Sequence, residues 1–213
     1  EEFNKLFQEF LNDYVQSERG QDHINAYPGV KKSAENNFDY ILNKKKRGED
    51  ITDDVLLKLL PYSGSERNRE EGAWIHIAPS INANIKKWFE NIGWHEKEDW
   101  PHVSKIILEF VNNCIENPNN IEEYCFEFSN SQYSTGFQTG MITPILSSLK
   151  PEEFVLINNK TRVLYNYFAQ TDYSQKLVDY PELNRIAFRV LLELENDLID
   201  YDKLPELPRP FVL

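Results

Sequence analysis

Apolar side chains recur along most of this chain at the spacing of an amphipathic helix. Phe3, Leu6, Phe7, Phe10, Leu11, Tyr14 and Val15 follow an i, i+3, i+4, i+7 rhythm that predicts a first helix, closed by Gly20. A second is predicted over residues 33–47 with Gly48 as its stop. A third is opened by Thr52, Asp53 and Asp54, carried by the apolar run 55–60 and ended by Pro61. Residues 62–72 are polar and glycine-containing and read as a loop, and residues 74–78 as a short extended or buried segment before Pro79. Helical spacing returns with Ile81, Ile85, Trp88, Phe89 and Ile92, stopped by Gly93, and again from Asp99 through Val103, Ile107, Val111 and Cys114. Ile121, Tyr124, Cys125 and Phe128 predict a short helix. Residues 141–149 predict another, with Pro144 placed in its first turn and Lys150 and Pro151 as its break. After a brief apolar run at 155–157, Asn158 is positioned to cap a helix through Phe168, and Asp179 with Glu182 reads as a capping box for a last helix to Leu194.

These patterns predict a mainly α fold, an irregular domain of about nine helices with at most a minor short-strand element, since no fixed-period repeat is visible. The expected organisation is one helical recognition or adaptor domain over 1–203. Within it, 1–48 form an N-terminal helical pair and 50–195 a core, followed by a proline-rich tail or linker over 204–213. Composition agrees with folding: of 213 residues 40% are hydrophobic and 13% aromatic, enough to form a core despite a net charge of −12. Cys114 and Cys125 fall on apolar helix faces and read as reduced thiols, with a disulfide as the alternative. No apolar run reaches the ~20 residues that cross a bilayer, and the acidic N-terminus is unlike a signal peptide, so a cytoplasmic protein is expected. The lack of an initiator Met and the proline-rich exit lead us to expect a piece of a longer protein.

The search for chemistry returns no catalytic constellation. Gly136 and Gly140 are not followed by the Lys-Ser or Lys-Thr pair of a phosphate-cradling loop, and read instead as a turn and a close helix approach. His23, His76, His95 and His102 lack the spacing of four that puts two imidazoles on one helix face, and neither cysteine lies in a Cys-x-x-Cys pair, so no metal is expected. The carboxylates are spread along helix faces, and no Gly-x-Ser-x-Gly elbow occurs. The expectation is therefore a non-enzymatic chain without cofactor or metal. Lys44 to Arg47 form a basic cluster that suits a helix C-terminus, and Arg67, Asn68 and Arg69 a second, mixed one. Trp74, His76, Trp94 and Trp100, with Trp88 among them, fall in one stretch and are candidates for an aromatic pocket, against the plainer reading of core packing.

Three segments carry a resemblance. Residues 55–61 with 68–76, residues 87–89 through 93–94 to 100–101, and residues 136–140 through 158–162 together resemble the N-terminal region of AAA+ ATPases of the 5-methylcytosine-specific restriction (McrB-like) type, and residues 179–184 fit the same pattern. The likeness spans roughly residues 50–195. It implies a module of a restriction or antiviral defence machine, in which an N-terminal domain recognises a target, often modified DNA, while a separate motor hydrolyses nucleotide and recruits a nuclease. These 213 residues show no phosphate-binding loop of such a motor. Residues 149–162 also faintly resemble helical elements of DNA glycosylase-like proteins in which a helix terminus meets the phosphate backbone. On that geometry Asn158, Asn159, Lys160, Thr161 and Arg162 would offer amides and cations at a helix start.

The leading expectation is thus a non-catalytic target-recognition or adaptor domain of a prokaryotic restriction or phage-defence AAA+ ATPase. DNA would be contacted through Arg67, Asn68, Arg69 and residues 158–162, with a motor domain in the same chain or a nuclease subunit as partner. The alternative is a protein-protein interaction module that binds a partner subunit or phage protein through its acidic face, for which a charge of −12 is the better match. A third expectation is a small-molecule or nucleotide sensor built on the tryptophans.

Overall fold

A computed structural model describes residues 2–94 and 96–193. The end of the last predicted helix, the 204–213 tail and His95 lie outside the described residues. Ten α-helices make up the described fold: α1 (Glu2–Phe10), α2 (Glu18–Lys46), α3 (Thr52–Lys58), α4 (Glu66–Glu70), α5 (Ile85–Asn91), α6 (Trp100–Glu116), α7 (Ile121–Ser129), α8 (Thr139–Leu149), α9 (Asn159–Ala169) and α10 (Tyr180–Glu193). The mainly α expectation holds. Among the described residues the extended segment at 74–78 yields only isolated bridges, Tyr62 pairing in parallel with Ile75 and with Ile81.

The N-terminus departs most from its sequence pattern. A π turn over Leu11–Val15 follows α1, and Gly20 does not end a helix but lies in the first turn of α2, whose N-cap Ser17 accepts the Gly20 amide at 3.0 Å. The helix expected to begin at Ser33 therefore begins fifteen residues earlier and runs through Pro28, whose ring sits on the solvent side. Gly20 is required by contact rather than by dihedral angle: a β-carbon there would lie 1.9 Å from the Tyr14 carbonyl oxygen, because the chain turns back sharply between the two helices. Gly20→Ala is expected to cost about 1–2 kcal/mol by overpacking this crossing. Hydrogen exchange should show the loss confined to residues 2–30, and uniform loss of protection across α6 would contradict this placement.

The core gathers on α6 and α8. Val103, Ile107, Leu108, Phe110, Val111 and Cys114 of α6 are buried, and α8 is apolar and buried nearly all round, as a central helix must be. α2 joins them through Phe38 and Ile41. Pro144 lies inside α8, beyond the first turn in which it was expected, and cannot donate to the Gly140 carbonyl four residues earlier. The Ser80 hydroxyl donates to that carbonyl instead, which is how a proline is accommodated in a buried helix. Gly136, at φ +87°, packs against Ile92 as the turn reading required. Cys114 and Cys125 are both buried free thiols, and burial pushes both upward in pKa.

Among the described residues no sheet satisfies the loop backbone, and buried side chains take over that task. Asn184 donates to the Glu153 carbonyl and accepts from the Val155 amide, each at 2.8 Å. Thr143 both accepts from the Ile157 amide and donates to its carbonyl. Asn166 holds both the amide and the carbonyl of Tyr173. Among the described residues, no helix is long and apolar enough to cross a membrane.

Candidate functional site

The residues expected to touch nucleic acid fall on two helix starts, α4 and α9. Asn68, in α4, is fully buried: its amide donates to the Ser63 and Ala83 carbonyls at 3.2 and 3.4 Å, and its oxygen accepts from the Ile85 amide at 3.2 Å. Arg69 donates to the Gly64 carbonyl at 3.1 Å, and exposed Arg67 faces Glu71 at 3.8 Å. The three neighbours therefore close a loop onto α5 rather than presenting a common cationic face.

At α9 the capping box foreseen at Asn158 is present. Asn158 accepts from the Lys160 and Thr161 amides, and the Thr161 hydroxyl accepts from the Asn158 amide. The Arg162 amide bonds the Asn158 carbonyl, so the amides of residues 160–162 are already engaged. The Arg162 guanidinium reaches back to the Tyr173 carbonyl at 2.9 Å and to Asn159, which also accepts from Gln175 at 2.8 Å. Of the eight residues, Lys160 alone keeps a side chain without a partner among the described residues. In the basic cluster at the end of α2, Lys44 pairs with Asp54 at 2.6 Å, Lys45 weakly with Glu109 at 3.6 Å and Arg47 with Glu49. Burial pushes the Asp54 carboxyl up, but hydrogen bonds from Lys44 and Lys58 outweigh it and hold the group below the usual range.

The four aromatic residues divide between two places. Trp94 packs edge-on against Trp88 at 5.4 Å and at a tilt against Phe137 at 4.8 Å inside the main core, and its carbonyl accepts the Trp100 indole N–H. Trp74 belongs to a separate patch with Val30 and Ala34, where its ring meets His76 at 4.7 Å.

His76 is the buried titratable group that sequence reasoning undervalued. Its Nδ1 accepts from the Ala78 amide at 3.0 Å, which leaves the proton on Nε2, donated to the Ser148 hydroxyl at 3.1 Å. Burial lowers its pKa to about 4. A base that activates a serine must accept from it, so this pair is wired as a structural clamp between the 74–78 segment and α8.

Unspent polar groups gather elsewhere, between α6 and α7. Glu109 of α6 and Glu127 of α7 flank a slot of about 170 Å³ floored by Phe110 and Phe128 and walled by Ile106 and Tyr124. Glu127, Asn113 and the Tyr124 hydroxyl make no side-chain hydrogen bond or ion pair among the described residues. Glu122 and Glu123 extend the acidic face of α7. Among the described residues, no group of three or more His, Cys, Asp or Glu side chains is placed to hold a metal ion. No family model matches this chain, and neither a curated protein nor a solved structure matches it.

Proposed function

We propose that this chain is a non-catalytic recognition or adaptor domain that engages a basic protein partner through its acidic surface, in the restriction or phage-defence AAA+ setting that the sequence resemblance implies. One observation carries the choice of partner: Arg69, Arg162 and the amides of residues 160–162 are engaged by the fold's own hydrogen bonds, while Glu127 of α7 stands exposed beside unspent polar groups. A net charge of −12 would steer a basic surface inward and repel a phosphate backbone. DNA recognition is the second reading, favoured by the free, exposed ammonium of Lys160 in the first turn of α9.

The two separate in a gel-shift titration at low salt with methylated and unmodified duplexes. The protein-partner reading expects no retarded band up to ~100 μM, weaker than ordinary non-specific affinity. A band that Lys160→Glu abolishes would transfer the function to DNA.

A further inference from the structure

The slot between α6 and α7 has a shape and charge that narrow what can enter it. At about 170 Å³ it is below the ~300 Å³ from which small-molecule sites start, so it takes one side chain rather than a free ligand. Its floor is aromatic, Phe110 and Phe128 meeting at 4.8 Å, and Tyr124 closes one wall. A carboxylate stands on each bank and no cation lines the slot. Lys45 reaches Glu109 from outside at 3.6 Å, but both groups are about half exposed and such a pair holds weakly, so it yields to a better partner.

Aromatic faces flanked by two carboxylates fit a planar cation better than a point charge. A guanidinium stacks on the rings, forks its N–H groups to both banks, and can share the Asn113 amide oxygen and the Tyr124 hydroxyl at the rim. We infer that this slot receives one arginine side chain of a basic partner protein, an inference that rests on the acidic-partner reading above and gives it an address. Glu109 and Glu127 lie eighteen residues apart on different helices, so the fold rather than sequence proximity brings them to one slot.

The test selects short random peptides against the whole chain and measures the enriched ones by fluorescence anisotropy. Enriched peptides should carry arginine. Replacing that arginine by uncharged citrulline should weaken binding about tenfold or more. Glu127→Gln, which keeps shape and removes charge, and Glu127→Lys should each do the same. Glu152→Lys, an equal charge change at an exposed site outside the slot's lining, should alter binding less than about twofold. Equal weakening by Glu127→Lys and Glu152→Lys would overturn the slot and leave the acidic-partner reading standing. Enrichment of neutral or acidic peptides would overturn both.

Discussion

Asn68→Ala is expected to lower stability by about 3 kcal/mol, with the thermal midpoint falling by roughly 6–12 °C. The side chain is fully buried and satisfies three backbone groups on two sides of the chain: the Ser63 and Ala83 carbonyls and the Ile85 amide. Truncation leaves these groups facing one another across a space that water reaches poorly, and an orphaned buried group costs about 1–3 kcal/mol. Partial relaxation keeps the total below a plain sum. The Ile85 amide opens α5, so the damage should spread to Phe89 and the tryptophans packed on it. Asn68→Asp should be no milder. It keeps the acceptor for Ile85 but turns two donors into an oxygen aimed at two carbonyls, at a fully buried position. A midpoint within about 2 °C of the wild type for either variant would show that the loop is held by something else.

The same residue shows where sequence reading stops. Asn68 stands beside two arginines, and that local company suggests an exposed polar patch, but its burial is set by residues 63 and 83–85, which no local pattern reveals. Features carried by contiguous signals were legible: the stop at Gly48, now at φ +73°, the Asn158 capping box and the stripes of α6 and α7. Features set by competition for a hydrogen-bond partner were not. Asp179 turns from its expected cap to the Ser174 amide and hydroxyl, Asp50 rather than Thr52 accepts at the start of α3, and Ser65 opens the unexpected short helix α4. Gly20 reads as a stop because glycine usually ends helices; here steric approach of Tyr14 dictates it.

The candidate site divides in the same way. Cations near a helix start were legible as residues and illegible as contacts, since the acceptors that consume them, Gly64 and Tyr173, are carbonyls and leave no mark in a sequence. The tryptophans were legible as core residues, and only Trp88 advertised its place by helical spacing. The carboxylate slot could have been suspected from one signal: Glu109 and Glu127 each sit one residue before a buried aromatic on a helix, at the edge of the apolar stripe.

Between pH 7 and pH 5 the protein should lose about 2 kcal/mol of stability, and His76 should be responsible for most of it. The group is neutral in the fold, its pKa lowered to about 4 by burial against an ordinary 6.5. As pH falls below 6.5 the unfolded chain binds a proton that the folded chain refuses. The stability His76 contributes is thus complete above pH 6.5, declines as pH falls, and is gone near pH 4, about 3 kcal/mol in all. Burial supplies the reason: a charged imidazole here would lose its hydration beside the Trp74 ring, with Nδ1 already taken by the Ala78 amide. Glu49, Asp50 and Asp54, whose carboxyls are held below their usual range, give up stability only below about pH 4.5, so the upper window belongs to the imidazole. Urea midpoints measured at half-unit steps of pH would resolve it. His76→Gln can still donate to Ser148 and accept from Ala78 but cannot titrate, so it should start less stable at pH 7 and stay nearly flat to pH 5. The same slope in wild type and variant would place the pH dependence outside His76 and leave the buried imidazole a silent packing group.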